Sequence, residues 1–282
     1  MKKIYVVDQN AMRERGPWDW ILGVRDVRFV IPDTALVEMV KGANWEGTFQ
    51  NSFRALAPVA TRCFAGRPIK ESLDFEIRKG RSVDGELFPR VLTNLLRATM
   101  VSSQLSNGSM KSQLRLHMHS LQEELRERDL NAAGYRDELM AVAATLRDGL
   151  SKNELTACRR EGDPGRQNRR EIAKAIGEAM FDAQLAKQGV SSQVAGRLWR
   201  GRSMHRRWCY LMVHHALQWL GEGGLESASS ASLLNDMLDQ DYVLLGSFVD
   251  GVISLESDVR TASEDLRLML ELPLERSYES LA

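Results

Sequence analysis

Four apolar residues, Ile4-Tyr5-Val6-Val7, follow two lysines and stop at Asp8. All four are strand formers, and no polar residue interrupts them. An unbroken run of this length fits a strand buried on both faces, as in a parallel sheet. Parallel strands need long crossover connections, usually helices. The feature therefore commits the chain to an α/β fold. In open α/β sheets, ligand groups gather just past the carboxyl ends of the strands. Asp8 falls there, with Asn10 two residues beyond.

The next stretch repeats the pattern. Pro17 to Leu22 reads as a short helix with proline near its first turn. Val27-Arg28-Phe29-Val30-Ile31-Pro32-Asp33 is a second strand, ended by proline. Thr34 caps the expected helix Ala35 to Lys41, which Gly42 ends. A helix over Thr48 to Leu56 leads to an expected third strand, Pro58 to Phe64. Strands alternating with helices across short joints are an α/β signature.

From Leu87 to Leu220 β-type alternation disappears. Helices are expected over Phe88–Ser102, Lys111–Arg147, Arg169–Lys187 and Val194–Leu220. Leu114, Met118, Leu121, Leu125 and Leu130 form an apolar stripe at roughly helical spacing. Gly162-Asp163-Pro164-Gly165 breaks the run. Ser227 to Ser232 is a small polar linker, Leu233 to Val249 a helix, Gly251 to Leu255 a strand, and Thr261 to Leu270 a last helix. The expected organisation is an α/β core, residues 1–66 and 231–275, split by an all-helical insertion, residues 67–230.

The chain of 282 residues has no net formal charge, so overall charge does not select nucleic acid. The distribution is uneven. Ser151 to Tyr210 carries thirteen Lys/Arg against six Asp/Glu, whereas Gly221 to Ala282 carries three against thirteen. That asymmetry suits a basic surface beside an acidic site. Cys63, Cys158 and Cys209 lack CxxC spacing, which argues against a disulfide framework or zinc site and fits a reducing cytoplasm. The opening apolar run is too short for a signal peptide, and none is long enough to span a bilayer. A cytoplasmic protein is expected.

Four acids recur at comparable places: Asp8 after the first strand, Glu38 in the second helix, Asp239 in the late helix and Glu256 after the late strand. Hard cations such as Mg²⁺ and Mn²⁺ favour carboxylate oxygen and retained water. Val6-Val7-Asp8-Gln9-Asn10, then Val30-Ile31-Pro32-Asp33 leading to Glu38 and Lys41, resembles the opening of PIN-domain nucleases. Asp239-Gln240-Asp241-Tyr242, then Asp250-Gly251-Val252-Ile253-Ser254-Leu255-Glu256, is similar to that family's acidic helix and its strand ending in Ser/Thr-x-Asp. The resemblance covers roughly residues 1–65 and 233–270.

The resemblance implies a PIN-like, Rossmannoid core and a nuclease using Mg²⁺ or Mn²⁺, with RNA favoured over DNA. Asp8, Glu38 and Asp239 are the implied metal-binding acids, and Asn10 and Ser254 orient them. Glu256 stands where the family has an aspartate; either it or Asp258 completes the site. Asp241, then Asp236, competes with Asp239 as third ligand. A continuous helix puts Asp241 on the apolar face, where it needs a partner, and a break near Asp239 removes that objection.

The best nucleic-acid patch by composition is Leu198 to Trp208, where Arg197, Arg200, Arg202, Arg206 and Arg207 surround Trp199 and Trp208. Arginine neutralises phosphate while aromatic rings stack on bases. The bland alternative is tryptophans in the core and arginines on a solvated face. His214-His215, His117 and His119 are poorly spaced for metal. Two other functional classes fit the chain: a PIN-like scaffold that binds nucleic acid or protein without cutting, and a helical interaction protein. The helical region offers surface for a homodimer or a protein partner.

Overall fold

The computed structural model describes residues 2–14, 18, 22–24, 26–40, 44–104, 119, 123, 134–160, 162–222 and 230–274. It is an α/β fold built on a four-stranded, all-parallel sheet in the order β3-β2-β1-β4. The strands are β1 (Lys3–Val7), β2 (Val27–Ile31), β3 (Cys63–Ala65) and β4 (Gly251–Ile253). Tyr5 of β1 pairs with Phe29 of β2 on one side and with Gly251 of β4 on the other. Val6, Val7, Phe29 and Val30 are fully buried, as an unbroken apolar run requires.

The chain reverses direction across the sheet beside β1. β2 and β3 extend to one side, and β4 returns to the other after the whole helical region has been built. The carboxyl ends of β1 and β4 thus lie side by side at a topological switch point, where a crevice forms in open sheets.

The helix Ser230–Gly246 packs on β1 and β4, and the helix Arg90–Ser103 on β3. At Gly246 the first of these lies flush with β4: a Cβ there would stand 2.3 Å from Val252 Cγ2. The helical region shares its interior with the sheet. Val6, Val30, Met100, Leu146, Tyr210 and Leu217 belong to one continuous apolar cluster. Among the described residues of the stretch 67–230, a smaller cluster of Phe181, Leu185, Leu198 and Cys209 packs apart from this shared one.

Several boundaries differ from the sequence reading. The third strand is only Cys63–Ala65, because Ala57–Arg62 forms a 3₁₀ helix with Pro58 in its first turn. Gly162-Asp163-Pro164 starts a helix instead of merely separating two: Asp163–Lys187 begins there with proline in its first turn. The expected helix Val194–Leu220 is two, Ser192–Arg200 and Met204–Glu222, parted at Gly201-Arg202-Ser203. A helix over Ile69–Lys79, absent from the sequence reading, supplies the reason. Its Glu76 is buried and accepts from the Met204 and His205 amides at 2.8 and 3.1 Å and from Ser203 Oγ at 2.7 Å. These are orphan donors at a helix amino terminus, satisfied by a side chain from another helix. The Leu114–Leu130 stripe, Lys41, Gly42 and most of Pro17–Leu22 lie outside the described residues.

A second buried carboxylate, Asp265, ties the helix Ser257–Met269 to the helical layer. It meets Arg170 at 2.7 Å, Arg166 at 2.9 Å and His214 Nε2 at 3.0 Å. His214 is thus structural. Among the described residues, no helix is long and apolar enough to cross a membrane.

Candidate functional site

Asp8 leaves β1 and caps the helix Gln9–Arg13. Its Oδ1 accepts from the Asn10 amide at 3.2 Å, and its own amide donates to the Ile253 carbonyl at 3.0 Å. Its Oδ2 accepts from Ser254 Oγ at 2.6 Å. Ser254 Oγ also accepts from the Glu256 amide at 3.0 Å. One hydroxyl therefore joins the acid after β1 to the loop after β4. Asn10 Nδ2 donates to Glu256 Oε1, adding a second link across the same gap. Both oxygens of Asp8 are thus engaged, one in capping and one in this cross-strand bond.

Glu38 comes from the helix Asp33–Met39. The buried Tyr242 hydroxyl donates to its Oε2 and lies 3.4 Å from the Gln9 amide, whose proton it accepts. Asp239 sits one helical turn before Tyr242. It is half-buried. Burial, followed by the negative charges of Glu256, Glu38, Asp8 and Asp236, pushes its carboxyl up to about 8. Asp8 is raised too, by burial first and with the Glu256 charge adding, against the hydrogen bonds that favour its ionised form. The four acids singled out in the sequence thus share one electrostatic neighbourhood.

The other expected ligands separate from this group. The helix Ser230–Gly246 runs unbroken past Asp239, so of the two alternatives the continuous helix holds. Asp241 is turned elsewhere and receives the Thr34 hydroxyl, which is the partner its position demands. Asp236 lies 3.5 Å from His215 Nε2 but still contributes to the field on Asp239. Asp258 is exposed in the first turn of the last helix, near Ser257 Oγ at 3.3 Å.

The donor set is all oxygen and fits a hard cation in kind. It is not a closed cage. Among the described residues, no three His, Cys, Asp or Glu side chains are drawn together tightly enough to hold a metal ion directly. Mg²⁺ commonly retains several waters and uses one or two carboxylates, so Asp8 and Asp239 with water between them and Glu38 or Glu256 meet that requirement.

Part of the arginine–tryptophan patch packs at the opposite end of β4. Phe248 precedes β4, whereas Glu256 follows it. Arg202 and Arg207 stack on Phe248, with guanidinium carbons 5.6 and 4.1 Å from the ring centre. Arg207 is only 3% exposed, and burial, with Arg202 adding, pushes it down to about 9. Arg206 stacks on Trp199 at 4.1 Å. Those rings and cations pack against one another; Arg207 is enclosed, whereas Arg206 is half-buried. Arg197, Arg200 and Arg202 remain exposed.

Two features of the site were not assigned roles from sequence. Tyr242 was legible in principle, since it follows Asp239 by three residues and so shares its helix face. Arg13 and Arg54, which line a cleft running up to Asn10 and Glu256, carried no sequence signal. The cleft encloses about 980 Å³. In comparisons with known proteins, the chain matches no family model, no curated protein and no solved structure.

Proposed function

We propose that the protein is a PIN-like, metal-dependent nuclease that hydrolyses phosphodiester bonds, with RNA the favoured substrate. The observation that carries this reading is the convergence of Asp8, Glu38, Asp239 and Glu256 at the carboxyl ends of two adjacent parallel strands. Buried carboxylates repel one another, and such a set is costly unless a cation or protons offset it. Asp8 and Asp239 would hold Mg²⁺ or Mn²⁺, with Glu38 and Glu256 reaching it through water. When bound, such an ion supplies Lewis acidity and charge neutralisation for attack of water on phosphorus. The protein's part is positioning. Ser254 and Asn10 fix Asp8 and Glu256 across the strand gap, and Tyr242 fixes Glu38. Asp239, whose carboxyl is raised to about 8 without an ion, would give up its proton on binding one.

A second reading, a PIN-like scaffold that binds without cutting, is favoured by one observation. Glu38 and Glu256 already spend oxygens on Tyr242 and Asn10. The test is cleavage of single-stranded RNA with Mn²⁺ and with EDTA. The nuclease reading expects cutting that EDTA stops and Asp8→Asn abolishes. Unchanged cutting by Asp8→Asn overturns it, and Mn²⁺-independent binding without cutting favours the scaffold.

A further inference from the structure

A site that hydrolyses a polymer needs a surface that holds the chain on either side of the scissile bond. Of the arginines singled out in the sequence, Arg202 and Arg207 pack on Phe248, which precedes β4, and so lie at the other end of that strand from Glu256. A cleft of about 980 Å³ opens instead beside the acids, sharing Asn10 and Glu256 with them. Its walls come from the helix Gln9–Arg13, from the end of the helix Trp45–Phe53 with the loop after it, and from Leu255-Glu256. Among the described residues two cations line it, Arg13 and Arg54, both exposed. Arg54 is held by Asn51, whose Oδ1 accepts from Nη2 at 2.7 Å. Neither arginine forms an ion pair among the described residues, unlike Arg166 and Arg170, which are spent on Asp265. Among the described residues, Glu14 is the one acid on the cleft wall apart from Glu256.

From this juxtaposition we infer that the cleft is the track for a single-stranded phosphodiester chain, with Arg13 and Arg54 contacting phosphates and feeding the strand past Asn10 to the carboxylates. The inference rests on the nuclease reading for its direction, but not for its chemistry. An exposed guanidinium with no carboxylate partner suits phosphate recognition through two parallel N–H donors. The pocket's size lies at the upper end for small-ligand sites, enough for a short segment of one strand. Ribose and deoxyribose chains share the phosphate chemistry, so the two must be separated by experiment.

The full-length protein is titrated in EDTA, where cutting is blocked, with fluorescein-labelled 12-mers of oligo(U) and oligo(dT). Anisotropy is followed across a salt series. Each phosphate contact on a single strand contributes about 0.7 to the slope of log affinity against log salt. Arg13→Ala/Arg54→Ala is expected to make the slope shallower by about 1.4 and to weaken low-salt binding by about tenfold. Arg13→Lys/Arg54→Lys should keep most of the slope, which excludes misfolding. Arg197→Ala/Arg200→Ala should change neither quantity. Loss on oligo(U) alone assigns the track to RNA, and loss on both assigns it to either strand. An unchanged slope in the Arg13/Arg54 pair, or loss in the Arg197/Arg200 pair instead, overturns the inference. Asp8→Asn separates the two readings. If it still cuts while the Arg13/Arg54 slope effect holds, the track stands and the hydrolytic assignment falls. If it stops cutting while the arginine pair changes nothing, only the track falls.

Discussion

Ser254 Oγ stands 2.6 Å from Asp8 Oδ2, although 246 residues separate the two in sequence. That bond records what the fold accomplishes. The chain leaves β1, builds two further strands and the entire helical layer, and returns to lay β4 beside its starting point. Each neighbouring strand end then contributes one polar group to the same crevice.

Asp239 gives the site a pH signature. Its carboxyl shifts from an ordinary 3.8 to about 8 in the fold, because burial and four surrounding acids disfavour its charge. Between those values the folded protein keeps a proton that the unfolded chain has released. The unfolded state then binds fewer protons, so stability falls as pH rises through this interval. Thermal unfolding of the metal-free protein is expected to show a declining Tm from pH 5 to pH 8. Asp239→Asn should flatten that decline and raise Tm at pH 8 by at least about 2 °C, the shift expected for about 1 kcal/mol in a chain of this size.

Glu76 should behave in the opposite sense. Burial alone pushes its carboxyl up, but donors from His205, Met204 and Ser203 outweigh that and hold it below its ordinary 4.5. Its contribution is therefore fully present above pH 4.5 and is lost as pH falls through the depressed value. Glu76→Ala strands the amino terminus of the helix Met204–Glu222 and is expected to cost about 3 kcal/mol, within the range for breaking a buried charged network. Urea unfolding at pH 7 checks the cost. Repeating it below pH 4 should show the difference between the two proteins shrinking.

The seat of the Asp239 helix can be disturbed without touching an acid. A methyl at Gly246 meets Val252 Cγ2 at 2.3 Å, whereas at Gly221 it meets nothing within 4 Å. Gly246→Ala is expected to destabilise by about 1–3 kcal/mol, the usual cost of overpacking. Gly221→Ala should be neutral or slightly stabilising. Denaturant midpoints of the two variants decide this.

The legible parts of the fold were those with local causes. β1 and β2 are unbroken apolar runs, and the helical periodicities of the middle region are strong. The helix Ile69–Lys79 was missed because its buried face includes Ser72 and Glu76 beside Ile69 and Phe75, which blurs the apolar stripe. The parting at Gly201–Ser203 was missed because its stabilising partner, Glu76, lies 127 residues away from Ser203. Asp8, Glu38, Asp239 and Glu256 were legible from their positions relative to strand and helix ends. The packing of Arg202 and Arg207 on Phe248 was not legible, because composition cannot say where on the sheet a helix docks.

The central claim is that these distant acids form one site with affinity for a divalent cation. Isothermal titration of Mn²⁺ into the wild-type protein, Asp8→Asn and Asp239→Asn at pH 7, in buffers of differing ionisation enthalpy, tests it most directly. The account predicts one carboxylate-dependent site in the wild type, proton release on binding because Asp239 must ionise, and affinity at least about tenfold weaker in each variant. Equal Mn²⁺ affinity in all three proteins, with no proton released, would contradict it.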